Sequence, residues 1–174
     1  TQSDFIFVGP KSETIKLMGD KILAKKAMSE VGITGIPGSK GEVSKDISEN
    51  KRIAKEVGYP VLVKAAHGGG GRGMRTVDSE KDLEEAIKLT KNEAKLAFGN
   101  DTVFIEKFLE KPRHIEFQVL CDNFGNAICL GERDCSMQRK HQKVIEEAPA
   151  PGISKEVREK MSKLVTDACK KINY

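Results

Sequence analysis

The sequence predicts a mixed α/β (α+β) fold, and three patterns along its 174 residues predict it. Residues 35–108 contain short β-branched segments that alternate with helical patterns. Residues 113–134 alternate apolar and polar side chains on both sides of a turn, which is typical of an antiparallel hairpin. Residues 154–172 form a final amphipathic helical pattern. A chain of this length can bury a sizeable core.

The first elements are a strand and a helical region. Residues 4–9, DFIFVG, predict a short buried strand that ends before a proline. Residues 12–31 predict helix, with Ser12 as the capping residue. Gly19-Asp20 interrupts the apolar pattern and can divide this region into two helices. Gly32 is the predicted stop.

The central block follows a Gly/Pro/Ser-rich stretch at residues 35–44, which predicts a loop or hinge. Two helices and three strands are then expected: helix 46–57, strand 60–65, strand 74–77, helix 79–97 and strand 102–109.

The last third begins with the predicted hairpin, whose strands are residues 113–122 and 126–134. Residues 134–151 are polar and bounded by prolines, so we expect a long loop there. The helix at 154–172 completes the chain.

Composition excludes several classes of function. Trp is absent and aromatic residues make up only 5%, which argues against a base-stacking nucleic-acid platform. No uninterrupted apolar run has transmembrane length, so we expect no membrane partner. The first ten residues lack the features of a signal peptide, and both ends are expected to have been cut from a longer chain. None of the four cysteines forms C-x-x-C, which favours reduced thiols in a cytoplasmic protein over a zinc site.

A glycine run is the first candidate for chemistry. Residues 67–73 read HGGGGRG between two predicted strands. Without Cβ atoms, the backbone N–H groups of such a loop can surround phosphate oxygens. Lys64 and Arg72 can add positive charge. The spacing matches neither a Walker loop nor a Rossmann fingerprint, and a phosphate-covering loop is favoured over a flexible linker.

Two further features are less specific. Glu106 and Lys107 lie on a strand that could face a flat base, although such residues are more often a solvated edge. Residues 132–151 crowd basic side chains together with Glu146 and Glu147. This pattern fits a site for small anions and a self-paired surface loop equally well. His114 is one of only three histidines and, like His141 in that loop, follows a basic residue.

Four runs of residues together resemble biotin carboxylase, the ATP-grasp component of acetyl-CoA carboxylase and of related biotin-dependent carboxylases. They are FIFVGPKSETIKLMGDK, YPVLVKAAHGGGGRGMR, FIEKFLEKPRHIEFQVL and GERDCSMQRKHQKVIEEAPAP. The resemblance covers essentially the whole chain in unbroken order. It implies that ATP phosphorylates bicarbonate to carboxyphosphate, which delivers CO₂ to biotin on a carrier protein, with Mg²⁺ or Mn²⁺ on the ATP phosphates.

The resemblance also implies a role for particular residues. Lys21 and Lys64 would bind phosphate, and Gly70 and Gly71 would belong to the loop that closes over it. Glu106, Lys107 and Leu109 would form the hinge that faces adenine. His114, Gln138 and His141 would surround the ribose and phosphates, and Lys143 would contact bicarbonate. Lys143 is the catalytic candidate. No metal ligand is assigned, because the family's metal-binding carboxylates lie beyond Tyr174.

The implied organisation has three parts. Residues 1–35 would be an inter-domain strand and helices, residues 36–108 an ATP-grasp lid, and residues 109–174 the start of a carboxy-terminal ATP-grasp subdomain. The implied partners are ATP, bicarbonate, a biotin carboxyl carrier protein and a carboxyltransferase. We expect this chain alone to be inactive.

Three alternatives remain open. They are a non-catalytic nucleotide-binding or interaction module, the equivalent domain of pyruvate or propionyl-CoA carboxylase, and another ATP-grasp ligase such as a carbamoyl-phosphate synthetase, against which the last run of residues argues.

Overall fold

The computed structural model describes residues 5–68 and 71–174. It contains five α-helices and six strands in these ranges: α1 Ser12–Gly19, α2 Lys21–Glu30, α3 Ile47–Val57, β1 Val61–Ala65, β2 Met74–Val77, α4 Leu83–Phe98, β3 Val103–Lys107, β4 Ile115–Cys121, β5 Ala127–Arg139, β6 Gln142–Glu147 and α5 Lys155–Lys171. A short 3₁₀ turn, Glu80–Asp82, leads into α4. In this described part, no helix has the length and apolar character needed to cross a membrane.

The first sheet is antiparallel, with the strand order β2-β1-β3. Its central strand places Leu62 opposite Glu106 and Lys64 opposite Phe104 on β3. Alternate residues of β1 are buried, and they form the main core with the apolar faces of β3 and α4. The β-branched residues of β1 suit this pleated, covered position. The sheet therefore holds Lys64 and Glu106 on a rigid platform.

The segment at residues 37–39 extends the same sheet along β3. Gly38 forms an isolated antiparallel bridge with Glu106. The Ser39 amide donates to the Ile105 carbonyl at 2.8 Å, and the Lys107 amide donates to the Pro37 carbonyl at 2.8 Å. A Cβ on Gly38 would lie 2.1 Å from the Ile105 oxygen, so the close approach of these two backbones requires glycine. Part of the loop predicted at residues 35–44 is thus a sheet edge.

The second sheet is also antiparallel, with the order β4-β5-β6, and α5 packs on it. The Asp122–Gly125 turn between β4 and β5 is closed by the Asp122 carboxylate, which accepts from the amides of Phe124 and Asn126 at 2.9 Å. The buried Glu132 carboxylate accepts two hydrogen bonds from Nε of Arg158, at 2.7 and 2.9 Å. This ion pair fixes α5 against β5.

The predicted α/β (α+β) fold class is confirmed, and most predicted elements are present within a few residues of their expected bounds. Gly19-Asp20 does divide the first helical region, because the Asp20 carboxylate caps α2 by accepting from Ile22 N and Leu23 N. Ser12 is the first residue of α1 and not its cap, which is Lys11.

Two predictions were wrong. Residues 5–9 form no strand, and the side chains of Ile6 and Val8 are exposed, since no neighbouring strand pairs with this segment among the described residues. Residues 134–151 are not a long loop, because β5 continues to Arg139 and turns into β6. Every residue of β6 is exposed, so this strand lacks the alternation of apolar residues from which strands are predicted.

Candidate functional site

The end of β1 gathers positive charge beside the glycine run. The Lys21 amine, at the start of α2, donates to the carbonyl of Gly68 at 2.5 Å and approaches those of Ala66 and Ala65 at 3.4 and 3.5 Å. Burial, and after it the positive charge of Lys64, lowers the pKa of Lys21. Two lysines predicted to bind phosphate therefore lie close enough to repel each other, which favours an anion between them.

Glu106 is the negative centre of this group. Its carboxylate accepts from the Lys64 amine at 3.1 Å and from the Lys25 amine at 2.8 Å, and its side chain is only 6% exposed. The same two amines lie 6.0 and 5.6 Å from the ring centre of Phe104, within cation–π distance. Glu106 is thus a buried carboxylate held by two cations and not the solvated edge that its position on a strand suggested.

The other residues predicted for an adenine hinge are arranged differently. The Lys107 amine donates to the carbonyls of Gly58 and Tyr59 at 2.7 and 3.1 Å, at the end of α3. Leu109 follows β3 and is 44% exposed. The Lys107 side chain is therefore occupied away from the lysine cluster, while the Leu109 side chain can still receive a ligand.

The glycine run contacts the turn between β5 and β6. Gly71 has φ +77°, and a Cβ there would lie 2.2 Å from Cδ2 of His141. His141 and Lys140 form the two-residue turn between paired Arg139 and Gln142, with φ of +61° and +50°. Positive φ at both central residues is what a two-residue hairpin turn of type I′ requires, and this turn holds the His141 ring against Gly71. The second predicted loop glycine, Gly70, lies outside the described residues.

Lys143 lies in a second cluster on the β4-β5-β6 sheet. Its amine donates to Glu116, as does the guanidinium of Arg133, and the Glu146 carboxylate accepts from Arg133 Nη1 at 3.0 Å. The hydrogen bond from Lys143, together with that from Arg133, lowers the pKa of Glu116, and the bond to Glu116 raises the pKa of Lys143. Lys143 is accordingly a charged, oriented ammonium group.

His114 and Gln138 lie beside this second cluster. Nε2 of Gln138 lies 2.9 Å from Nδ1 of His114 and donates to the Cys135 carbonyl at 2.8 Å. Nε2 of His114 lies 3.7 Å from the Glu116 carboxylate. The two predicted residues are therefore brought together, and both are exposed to a prospective ligand.

Sequence reasoning missed three residues that hold these clusters: Lys25, Phe104 and Glu116. Lys25 lies one helical turn after Lys21, and this i, i+4 spacing could have placed both amines on the same face of α2. Glu116 lies directly opposite Arg133 across β4 and β5, but that register required the structure.

One group of side chains could be considered for a metal. Ligand atoms of Glu116, Cys135 and Glu146 lie within 4.8 Å of one another. Both carboxylates already pair with Arg133 and Lys143, and burial raises the pKa of the Cys135 thiol. These residues do not fit the site of a hard divalent cation such as Mg²⁺, which takes oxygen ligands that are free to coordinate.

Comparison with known proteins adds a family. The family model described as the carbamoyl-phosphate synthase L chain, ATP binding domain, matches residues 20–174. The chain is 59% identical over 173 residues to a biotin carboxylase of Haemophilus influenzae, covering 99% of the chain and 39% of that protein. It is 52% identical to one of the subunits of pyruvate carboxylase from Methanothermobacter thermautotrophicus, covering 96% and 34%.

Solved structures agree with these sequence relationships. A biotin carboxylase from Campylobacter jejuni, in complex with β,γ-ATP, superposes with a TM-score of 0.94 at 49% identity, over 99% of this chain and 39% of that one. The biotin carboxylase domain of Hydrogenobacter thermophilus 2-oxoglutarate carboxylase, in complex with MgADP, ADP and bicarbonate, gives 0.93 at 49% identity, over 99% and 38%. The chain thus spans about two fifths of the length of curated biotin carboxylases that it matches.

Proposed function

Because this chain belongs to the family of the carbamoyl-phosphate synthase L chain ATP-binding domain, and because it is similar to biotin carboxylases along almost its whole length, we propose that it forms the central part of a biotin carboxylase. The proposed reaction consumes ATP and bicarbonate and carboxylates biotin on a carrier protein. The observation that carries the proposal is the convergence of Lys21 and Lys64 at the end of β1, beside a glycine run that His141 contacts.

The first proposed step is phosphoryl transfer. A bicarbonate oxygen attacks the γ-phosphorus of ATP, the bond to ADP breaks, and carboxyphosphate forms. Such a reaction is accelerated mainly by positioning and by neutralisation of charge. Lys21 and Lys64 would bind the phosphates, and the backbone of Gly70 and Gly71 would cover them. By excluding water, this loop would protect carboxyphosphate from hydrolysis.

The remaining proposed roles concern the nucleoside and bicarbonate. Glu106, Lys107 and Leu109 would line the adenine site. The contacting group of Lys107 would be its backbone carbonyl, because its amine is bound at the end of α3 and its amide donates to Pro37. His114, Gln138 and His141 would surround the ribose and phosphates. Lys143 would bind bicarbonate, for which its ammonium group is already oriented by Glu116.

A divalent metal, Mg²⁺ or Mn²⁺, would supply further charge neutralisation on the phosphates. Among the described residues, the carboxylates that contact Lys64 and Lys143 are already paired, and we therefore assign no metal ligand to this chain. The ligands of the metal would come from the remaining residues of a full-length enzyme as long as the relatives.

The finer assignment is to acetyl-CoA carboxylase, and thus to fatty-acid synthesis in the cytoplasm, with a biotin carboxyl carrier protein and a carboxyltransferase as partners. High identity to subunits of pyruvate carboxylase and of methylcrotonoyl-CoA carboxylase means that this assignment needs its own test. The purified full-length protein should carboxylate the carrier of an acetyl-CoA carboxylase faster than that of a pyruvate carboxylase. The reverse order would reject the finer assignment alone.

The proposed activity is tested in the full-length protein by measuring ATP hydrolysis with bicarbonate, in the presence and absence of biotin. We expect hydrolysis to depend on both, and Lys64→Met to reduce kcat/KM for ATP by roughly a hundredfold. Lys26→Met is the matched control, because Lys26 is exposed on α2 and makes no ion pair within residues 5–68 and 71–174. Hydrolysis that requires ammonia in place of biotin, or nucleotide binding without hydrolysis, would reject the proposal.

A further inference from the structure

Glu106 forms ion pairs with two lysines, Lys25 and Lys64. Its side chain is 6% exposed, and its two oxygens accept separately from Lys25 and Lys64. A carboxylate this buried is costly unless it remains paired and hydrogen-bonded. Under the proposed function Lys64 binds a nucleotide phosphate, so it would have to weaken its contact with Glu106 when the nucleotide arrives. The second cation then decides whether Glu106 keeps a hydrogen-bonded partner.

The contacts of the two amines differ. Besides Glu106, the Lys25 amine donates to the Ile36 carbonyl at 3.1 Å. Both amines also lie near the ring centre of Phe104, at 5.6 Å for Lys25 and 6.0 Å for Lys64. The Lys64 amine has Glu106 as its only hydrogen-bond partner within the part of the chain that the structure describes. Lys25 is therefore fixed to the loop at Ile36 and to β3, whereas Lys64 has one bond to exchange.

The backbones that carry the two amines also differ. Lys64 is near the end of β1, directly before the carbonyls that hold Lys21 and the start of the glycine run. Lys25 is one turn along α2 from Lys21, and its amine points to the opposite oxygen of the carboxylate. Of the two, Lys64 can thus turn toward the glycine run without releasing a second hydrogen bond, whereas Lys25 would also release the Ile36 carbonyl.

We propose that Lys25 is a positioning residue of the nucleotide site, which keeps Glu106 paired and in place while Lys64 moves from Glu106 to a nucleotide phosphate. This inference rests on the proposed function, because it takes a nucleoside triphosphate or diphosphate as the ligand that Lys64 receives. Lys25 itself touches neither the phosphates nor the reacting atoms.

Removal of Lys25 should have an effect that removal of a purely structural lysine would not produce. In a protein without Lys25, Glu106 is paired with Lys64 alone when the site is empty. Nucleotide binding then removes its last hydrogen-bonded cation, and only the charge of Lys21, which interacts with Glu106 without an ion pair, remains near it. A buried carboxylate that loses its hydrogen-bonded partner costs free energy. In Lys25→Met, Lys64 should therefore stay on Glu106, and the nucleotide should bind less tightly.

The experiment is calorimetric titration of the full-length protein with ADP. For Lys25→Met we expect affinity to fall roughly ten- to a hundredfold. Lys25→Arg, which keeps a cation at this position, should restore most of the affinity. Lys26→Met, an exposed neighbour on the same helix, should match the wild type.

A double variant keeps the proposal falsifiable if Lys25→Met alone folds poorly. In a Glu106→Gln background there is no charge to neutralise, so adding Lys25→Met should change ADP affinity by less than about twofold. Unchanged affinity of Lys25→Met, no recovery of affinity in Lys25→Arg, or a full effect of Lys25→Met in the Glu106→Gln background would each overturn the role of Lys25. If the wild-type protein binds no ADP, the proposed function fails instead.

Discussion

Asp134 shows how one residue can organise the second cluster. Its carboxylate accepts from the hydroxyl and amide of Ser136 at 2.5 and 2.9 Å and from Arg113 Nη2 at 2.9 Å. These hydrogen bonds lower the pKa of Asp134 to about 2. The Ser136 hydroxyl in turn accepts from the His114 amide at 2.9 Å. The charge of Asp134 therefore stabilises the segment that carries His114.

The depressed pKa predicts the direction of a pH effect. The folded-state pKa is below the unfolded value, so the charge of Asp134 stabilises the fold above about pH 4 and this contribution is lost as the pH falls toward 2. Asp134→Asn should flatten the decrease in unfolding free energy between pH 4 and pH 2, measured by urea denaturation. Asp101→Asn, at an exposed position, serves as the control. An identical pH profile for Asp134→Asn and the wild type would contradict this role of the carboxylate.

Gly71 carries a second prediction at the residue scale. An alanine there would have φ +77° and would place its methyl group 2.2 Å from the ring of His141. Gly71→Ala should therefore displace either the loop or the ring, and raise KM for ATP roughly tenfold through a strain of about 1–2 kcal/mol. Steady-state kinetics of the full-length protein provide the measurement. Gly41→Ala is a suitable control, because nothing lies within 4 Å of a Cβ at Gly41. Equal KM values for both variants would show that the Gly71–His141 contact does not contribute to ATP binding.

At the scale of elements, the segment at residues 37–39 is what holds the approach to Glu106 in place. Gly38→Ala would push a methyl group against the Ile105 carbonyl and separate this segment from β3. We expect a loss of about 1–3 kcal/mol in unfolding free energy, as for other overpacked sites, and an added loss of nucleotide affinity, because the Ile36 carbonyl holds Lys25. Denaturant unfolding of Gly38→Ala and Gly41→Ala side by side tests this. A smaller loss for Gly38→Ala than for Gly41→Ala would show that the close approach is unimportant.

The elements that could be predicted from sequence are those with a strong period or a clear stop signal. The buried alternation of β1 and the amphipathic period of α5 are local features, and both elements have nearly the predicted bounds. β6 was missed because all six of its residues are exposed, and apolar and polar residues do not alternate along it. The strand at residues 4–9 was predicted from its apolar residues, but a strand needs a neighbouring strand, and none pairs with residues 6–9 in the described ranges.

The site was predictable to the extent that its residues belong to recognisable runs. Lys21, Lys64 and the glycine run are close in space, as are His114, Gln138 and Lys143. Lys25 and Glu116 belong to no motif, and their importance comes from contacts between elements far apart in sequence. Such long-range pairs depend on strand register and on the packing of α2 against β3, neither of which a single sequence specifies.

At the scale of the whole molecule, large apolar surfaces are uncovered at two places. Ile6 and Val8 are more than 90% exposed before α1, and Leu120, Ile128 and Leu130 are exposed on the β4-β5 hairpin. Exposed apolar side chains that lie together on one element often mark a site of packing or binding. Under the proposed function, further chain of a full-length enzyme would cover them, since the curated relatives are about two and a half times as long.

The distribution of charge leads to the last prediction. The carboxylates that contact Lys64 and Lys143 are already neutralised, Glu106 by Lys25 and Lys64 and Glu116 by Lys143 and Arg133. A site that binds anions but whose carboxylates are paired in this way cannot by itself hold the divalent metal on which phosphoryl transfer relies. The 174-residue chain alone should therefore show no bicarbonate-dependent ATP hydrolysis and only weak nucleotide binding, whereas the full-length protein should hydrolyse ATP and bind it tightly.

A cooperative thermal transition of the short chain would establish that it is folded under the assay conditions. Turnover by that folded chain, or tight Mg²⁺-dependent ATP binding to it, would contradict the prediction. It would show that Glu106 or Glu116 can leave its lysine and arginine partners and bind the metal.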